Sequence, residues 1–160
     1  APSSTDWRGQ QTAPSDEMPK VRKGPLTQYA ALPWRRDADG RIEILLITSR
    51  ETRRWVIPKG WPITGLSGSE TAAQEAIEEA GVTGDVWTEP VGGYDYDKRL
   101  KSRALQPVEV EVFPLAVREE HATWPEKGQR ERRWFPAAEA AGLVAEPRLA
   151  ELMREFGGRG

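Results

Sequence analysis

The apolar residues of the chain fall into short segments whose spacing predicts strands, with more helices in the second half. The segment Ile42–Thr48 (IEILLIT) is almost continuously apolar and β-branched, which is typical of a central strand buried on both faces. Residues 108–117 begin with strict alternation of apolar and polar positions and predict another strand. Further strands are predicted at 28–34, 55–57, 82–91, 93–96 and 134–135, and helices at 67–80, 136–143 and 147–156. This irregular mixture indicates an α/β or α+β fold with a layered, mixed sheet.

The predicted helix at 67–80 has recognisable ends. Ser67 with Glu70 three positions later fits a capping box, although Ser69 is a competing N-cap. Gly81 follows where a left-handed residue commonly ends a helix. One face of the helix consists of small or apolar residues, namely Ala72, Ala73, Ala76, Ile77 and Ala80. Such a face allows the helix to lie close against a sheet.

The opposite face of this helix carries three carboxylates, Glu75, Glu78 and Glu79, and no basic residue. Like charges at these spacings repel by about 0.2–0.5 kcal/mol per pair. The helix dipole also disfavours negative charge in the second half of a helix. A divalent cation would reverse both effects, and hard oxygen ligands suit Mg²⁺ or Mn²⁺. For the helix taken alone, a solvated acidic face is the simpler explanation.

The segment before the helix adds a second feature. A short strand at 55–57 leads through Lys59 into a glycine-containing loop at 60–68, which then caps the acidic helix. A strand, a glycine loop and a helix in this order can place backbone amides and a lysine around phosphate oxygens. Lys59 fits either a phosphate contact or an ordinary loop lysine.

Composition is that of one globular domain. The chain has 160 residues, of which 38% are hydrophobic and 30% charged. It contains no cysteine, which excludes disulfides, zinc–thiolate sites and cysteine nucleophiles. No apolar run approaches the roughly 18 to 20 residues that span a bilayer, and the first twenty residues lack the apolar stretch of a signal peptide. We expect a flexible tail at 1–19, a domain at 20–160 and, by default, a cytoplasmic location.

The charge distribution is more informative than the formal net charge of −2. Basic residues cluster in four places: Lys20, Arg22 and Lys23; Arg50, Arg53 and Arg54; Lys98, Arg99, Lys101 and Arg103; Arg130, Arg132 and Arg133. Each cluster alone is compatible with solvated surface. Together they favour a small polyphosphate partner, and neither a nucleic acid polymer nor a membrane is expected.

Residues 60–82 resemble the Nudix box, a motif of the form G-x5-E-x7-R-E-U-x-E-E-x-G-U in which U is aliphatic. Gly60 aligns with the first glycine, Glu75 with the glutamate of the R-E pair, and Glu78 with Glu79 form the E-E pair. The motif fixes many positions over 23 residues, so the resemblance is specific. It implies that the three glutamates hold Mg²⁺ or Mn²⁺ and carry the catalysis of phosphoanhydride hydrolysis.

Two positions depart from the motif, and a third carries a smaller residue than usual. Leu66 replaces the first glutamate, Gln74 replaces the arginine, and Ala76 stands where a larger aliphatic residue is usual. If the glutamate and the arginine of the motif normally stabilise each other electrostatically, losing both leaves no unpaired charge. We therefore interpret Leu66 and Gln74 as a compensated variant of the motif.

Beyond the box, the chain is similar to the diphosphoinositol polyphosphate phosphohydrolase branch of the Nudix family over about residues 21–156. The similarity lies in residues 46–50, 54–58 and 129–135. It implies an α/β/α sandwich with a mixed sheet, and substrates such as inositol pyrophosphates or dinucleoside polyphosphates. The basic clusters agree with such substrates because several phosphates must be neutralised together.

The resemblance also implies substrate contacts. We expect Arg22, Arg50, Lys98 and Arg132 to contact phosphates, beside Lys59 and Gly60 of the loop. The general base is one of the three glutamates or a carboxylate such as Glu119, Glu120 or Glu131. Two alternatives remain: a substrate that is another nucleoside diphosphate derivative, for which Trp61 is the best candidate to contact a base, and a binding module without turnover. The sequence does not predict the oligomeric state.

Overall fold

A mixed eight-stranded sheet organises residues 24–159, the part of the chain that the structure, a computed structural model, describes. Its strands are β1 (Leu26–Arg36), β2 (Ile42–Thr48), β3 (Trp55–Val56), β4 (Lys59–Gly60), β5 (Val82–Val86), β6 (Gly92–Arg99), β7 (Leu105–Glu120) and β8 (Arg132–Pro136). The helices are α1 (Gly68–Glu75), α2 (Ala137–Leu143) and α3 (Pro147–Gly157). The predicted tail at 1–19 and the candidate residue Arg22 lie outside the described residues.

The centre of the sheet is a parallel pair, β1 and β7, in register from Leu26 opposite Val108 to Trp34 opposite Ala116. The other pairings of the described strands are antiparallel. The strand β7 is long enough to pair with β6 through its first half and with β5 through its second half. The far side of β2 pairs with β8.

The segment that carries β3 and β4 lies where β1 and β2 diverge. The end of β1 pairs with the start of β2, but earlier, at Tyr29 and Ala30, β1 pairs with Gly60 and Lys59 of β4. The second half of β2 pairs with β3. Lys59 and Gly60 are therefore fixed by backbone hydrogen bonds within the sheet.

Side chains of β2 confirm that this strand is buried on both faces. Ile44 and Leu46 point into the apolar layer beneath α2 and α3, whereas Leu45 and Ile47 point into the layer beneath α1. All four side chains are buried. Two apolar layers on opposite faces of one mixed sheet make an α/β/α sandwich, as predicted.

The capped helix begins and ends as predicted, but its last turn is of a different type. The Glu70 backbone N–H donates to the Ser67 hydroxyl at 3.1 Å, and the Ser67 N–H donates to the Glu70 carboxylate at 2.8 Å, which completes the capping box. After Glu75 the helix continues as one wider π-helical turn, Ala76–Ala80, and Gly81 ends it with φ of 69°. The helix predicted at 67–80 is present from Gly68 to Ala80, but its last turn is π-helical and not α-helical. An alanine-rich pattern does not distinguish i→i+4 from i→i+5 bonding.

Several strand boundaries also differ. The strand predicted at 82–91 ends at Val86, and the chain bends at Thr88 and Glu89 before Pro90, which has no N–H for a ladder. The strand predicted at 55–57 is shorter, and those at 28–34, 93–96, 108–117 and 134–135 are longer in the structure. The two C-terminal helices agree within one residue. No helix in residues 24–159 is long and apolar enough to cross a membrane.

Candidate active site

Two of the three glutamates of the acidic helix lie against β4. The Glu75 side chain is only 4% exposed, and a Cβ on Gly60 would overlap its carboxyl group. The Lys59 backbone N–H donates to Glu79 Oε1 at 3.3 Å. The absence of a side chain at Gly60 therefore lets the helix carboxylates approach the end of this strand.

The third glutamate contacts one of the residues that depart from the motif. Gln74 Nε2 donates to Glu78 Oε2 at 2.9 Å. The amide thus holds Glu78 without adding a charge. Leu66, at the other departing position, is 41% exposed and lies in the loop before the helix.

Arg130 is the main counter-charge of Glu79. Its Nη2 lies 3.6 Å from Glu79 Oε2, and its side chain is only 9% exposed. The same guanidinium donates to Glu126 Oε1 at 2.7 Å and to the Thr48 carbonyl oxygen at 3.1 Å. Burial raises the pKa of the Glu79 carboxyl, while Arg130 and Lys59 act in the opposite direction.

Lys59 is the second cation of this buried group. Burial lowers the pKa of its ammonium group, and the nearby Glu79 carboxylate opposes that shift. The Lys59 ammonium group also lies 5.1 Å from the centroid of the Tyr96 ring. A carboxylate and two cations are thus held together at the inner end of the site.

A cleft of about 320 Å³ opens beside this charged group. Its lining is rich in polar and basic side chains: Ser49, Arg50, Glu51, Thr52, Arg54, Val56, Lys59, Glu79, Asp97, Lys98, Arg99 and Arg130. The predicted substrate residues Arg50, Lys59 and Lys98 are all among them. Six basic side chains against three acidic ones make the cleft suitable for an anion.

Arg132, in contrast, donates hydrogen bonds to the backbone. Its guanidinium donates to the carbonyl oxygens of Ala80, Gly81 and His121 at 2.9, 3.2 and 2.8 Å. Three main-chain acceptors hold this guanidinium, and Arg132 is not among the residues that line the cleft, so the structure favours a structural role for this residue. The phosphate contact assigned to Arg132 stays a prediction. Arg130 is the arginine of this segment that lines the cleft, and sequence reasoning missed it.

The carboxylates proposed as alternative general bases lie outside the cleft lining. Glu120 is 3.3 Å from the Arg35 guanidinium and Glu131 is 3.3 Å from that of Arg133. Glu119 is exposed near the end of β7. Trp61, the candidate for stacking on a base, packs against the apolar layer beneath α2 and α3.

The donor set fits a hard divalent cation in its chemistry. Glu75, Glu78 and Glu79 supply carboxylate oxygens, which such a cation prefers. Glu75 and Glu79 both lie against β4, on the same side of the helix. Within residues 24–159, however, no three carboxylate or histidine side chains are arranged closely enough to hold a metal ion. Glu78 accepts its hydrogen bond from Gln74 of the same helix, whereas Glu75 and Glu79 contact β4.

These features match a known family. The NUDIX domain family matches residues 26–156. The chain belongs to the Nudix family. Nudix hydrolase 13, mitochondrial, of Arabidopsis thaliana is 33% identical over 127 residues, covering 75% of this chain and 62% of that protein. Nudix hydrolase 21, chloroplastic, of the same plant is 34% identical over 125 residues, covering 77% and 61%. The chain therefore spans about three fifths of the length of these Nudix relatives.

Solved structures agree with this Nudix assignment at the level of the fold. The Escherichia coli dihydroneopterin triphosphate pyrophosphohydrolase superimposes with a TM-score of 0.66 at 16% identity, covering 88% of this chain and 100% of that one. A Caenorhabditis elegans Ap4A hydrolase gives a TM-score of 0.60 at 19% identity, with coverage of 84% and 98%. The predicted Nudix sandwich is confirmed.

Proposed function

We propose that this protein is a Mg²⁺- or Mn²⁺-dependent hydrolase of phosphoanhydride bonds in small polyphosphate molecules. The observation that carries the proposal is the basic cleft with Glu79 at its inner end, beside Lys59 and Arg130. The Nudix box and the relatives named Nudix hydrolase support the same reaction class. Catalysis of this kind depends mainly on positioning phosphates and on offsetting their developing charge.

The roles of the protein groups follow from their positions. Arg50, Lys98 and Arg130 line the cleft and would orient the phosphates. Glu75, Glu78 and Glu79 would hold the divalent cation, which supplies Lewis acidity and lowers the pKa of a water molecule. Attack by water needs a proton acceptor, and Glu79 is the carboxylate of this set that lines the cleft.

The lining of the cleft favours a densely phosphorylated substrate. None of the twelve described lining residues is aromatic, and Trp61 is packed elsewhere. A nucleotide base would therefore find no ring to stack on among these residues. We propose inositol pyrophosphates as the first substrate class and dinucleoside polyphosphates as the second.

A non-catalytic binding module is the competing proposal. It is favoured by the hydrogen bond that turns Glu78 toward Gln74, one of the two residues that depart from the motif. The fold is shared by the NUDIX domain of Shewanella oneidensis NrtR, which was crystallised with ADP ribose and gives a TM-score of 0.56 at 17% identity. Phosphate release across both substrate classes and ADP ribose, measured with Mg²⁺, Mn²⁺ or EDTA, separates the proposals. Binding of any of them without release would favour the module.

The variant Glu79→Gln tests the catalytic assignment. It keeps the shape of the side chain but removes the charge, so we expect kcat to fall by about 100-fold or more. Circular dichroism and thermal unfolding should show a folded protein. The exposed Glu139 of α2 gives a matched control, and Glu139→Gln should keep full activity. Full activity of Glu79→Gln would contradict the assignment.

A further inference from the structure

Glu146 is a largely buried carboxylate that the proposed reaction does not use. It occupies the N-cap position of α3, yet its side chain makes no capping hydrogen bond. Instead its Oε2 lies 3.6 Å from Nη1 of Arg54, and its side chain is only 14% exposed. Its other oxygen, Oε1, is buried and has no hydrogen-bond partner within residues 24–159.

This arrangement is unfavourable for the stability of the fold. A largely buried carboxylate needs hydrogen bonds to both oxygens to offset its lost hydration. Glu146 has one ion pair at moderate distance and a weaker attraction to the Lys59 ammonium group. Serine at the same position would cap α3 and bury no charge. Residues that break such local rules are found preferentially at functional sites.

The partner of Glu146 belongs to the cleft. Arg54 lines it together with Lys59 and Lys98, and its side chain is 45% exposed. A guanidinium has five N–H donors, so the ion pair with Glu146 leaves donors for a phosphate oxygen.

Two other cleft arginines are also held by a protein acceptor. Arg50 donates to Gln129 Oε1 at 2.9 Å, and Arg130 donates to Glu126 Oε1 at 2.7 Å. Each of these guanidinium groups thus has a fixed protein acceptor on one side. An arginine fixed in this manner loses less side-chain freedom when it binds a ligand, which increases affinity.

We propose that Glu146 is a positioning residue that orients Arg54 to bind a phosphate of the substrate. The proposal rests on the assignment of the cleft to polyphosphates made above. It extends the site to the start of α3, which lies far from the Nudix box in sequence.

The sign of the effect makes the proposal testable. By charge alone, removing a carboxylate near a basic cleft would strengthen anion binding. Loss of positioning would weaken it. We therefore expect Glu146→Gln to bind inorganic tripolyphosphate roughly 5- to 10-fold more weakly by calorimetry in EDTA, as for the loss of one charge-assisted hydrogen bond. The control Glu151→Gln removes an exposed carboxylate of the same helix and should bind like the wild type.

A second variant separates positioning from stability. Glu146→Ser should weaken tripolyphosphate binding to a similar degree, while the new N-cap raises Tm by about 2–4 °C. A purely structural role predicts the reverse, with lower Tm and unchanged binding. Binding equal to or tighter than that of the wild type in both variants would overturn the proposal.

Variants of Arg54 provide a third test. Arg54→Ala should weaken binding at least as much as Glu146→Gln, and the double variant should bind no more weakly than Arg54→Ala alone. Additive losses would show that Glu146 does not act through Arg54 and would overturn the proposal. Because tripolyphosphate binding is measured without turnover, a wild-type protein that binds but hydrolyses nothing would refute the proposed reaction and leave this test intact.

Discussion

At the scale of single residues, the position of Glu75 depends on what Gly60 lacks. The carboxyl group of Glu75 occupies the space that a Cβ on Gly60 would need. Gly60 is also tied to the sheet through its pairing with Tyr29, so the backbone has little freedom to move away. The glycine is required here by close approach of a side chain, since its own φ is not positive.

Gly60→Ala is therefore expected to damage the site more than the fold. The new methyl group displaces the Glu75 carboxylate, and we expect kcat to fall by roughly 100-fold, as for other misplaced catalytic groups. Gly142→Ala is the matched control, because Gly142 lies in α2 with open space around the new Cβ. It should stabilise the protein by about 0.5–1 kcal/mol and leave kcat unchanged. Normal activity of Gly60→Ala would show that Glu75 has no role in catalysis.

Residue types were easier to predict than the direction in which side chains point. The cluster of Arg130, Arg132 and Arg133 was recognised in the sequence, but only Arg130 lines the cleft. Arg132 donates to the backbone, and Arg133 is exposed beside Glu131. The direction of each of these side chains depends on where β8 begins and on the turn that precedes it. The local sequence pattern does not specify either feature.

At the scale of elements, the acidic helix is closed at its C-terminal end by residues from a distant segment. Trp124 Nε1 donates to the Glu79 carbonyl oxygen at 3.2 Å. Arg132 donates to the next two carbonyl oxygens and lies 4.0 Å from the centroid of the Trp124 ring. These contacts satisfy acceptors that a helix end leaves without an internal partner and place a positive charge at the negative end of the dipole.

Arg132→Ala should accordingly lower the free energy of unfolding by about 2 kcal/mol, the usual cost of losing hydrogen bonds from a charged group. Urea unfolding would measure it. Arg133→Ala provides the comparison, because that side chain is largely exposed and should cost less than about 0.5 kcal/mol. If Arg132→Ala keeps its stability but loses substrate affinity, the phosphate contact predicted from the sequence is the correct role.

The elements that could be predicted are those with strong local signals. Burial on both faces of β2 follows from its unbroken apolar run, and the start of α1 follows from Ser67 and Glu70. The π-helical turn at Ala76–Ala80 has no such signal, since it depends on hydrogen bonds made at Gly81. The pair of Arg54 and Glu146 joins two loops that nothing in the sequence connects.

At the scale of the whole molecule, charge is distributed very unevenly. The formal net charge of the chain is −2, yet the cleft is lined by twice as many basic as acidic side chains. Converging wall charges attract an anion more strongly than the net charge suggests. Association with a polyphosphate should therefore depend on the ionic strength.

Salt titration tests this expectation. Between about 0.05 and 0.5 M NaCl we expect KM for a polyphosphate substrate to rise several-fold, because salt screens charges on the exposed walls of the cleft. The value of kcat should change little, because the inner pair of Glu79 and Arg130 is largely shielded from solvent. Initial rates at constant free Mg²⁺ give both constants. A KM that does not depend on salt would mean that the basic walls do not contact the substrate.

The parallel pairing of β1 with β7 has a consequence for how the chain folds. The two strands at the centre of the sheet are far apart in the sequence. The pair can therefore form only when the segment around Val108 is available to the segment around Leu26. Closing so long a loop is slow, and the entropy is lost before any contact between the strands offsets it. During synthesis, the early segments must remain only partly paired until the ribosome has released most of the domain. Sheet assembly therefore sets the time at which the cleft first exists.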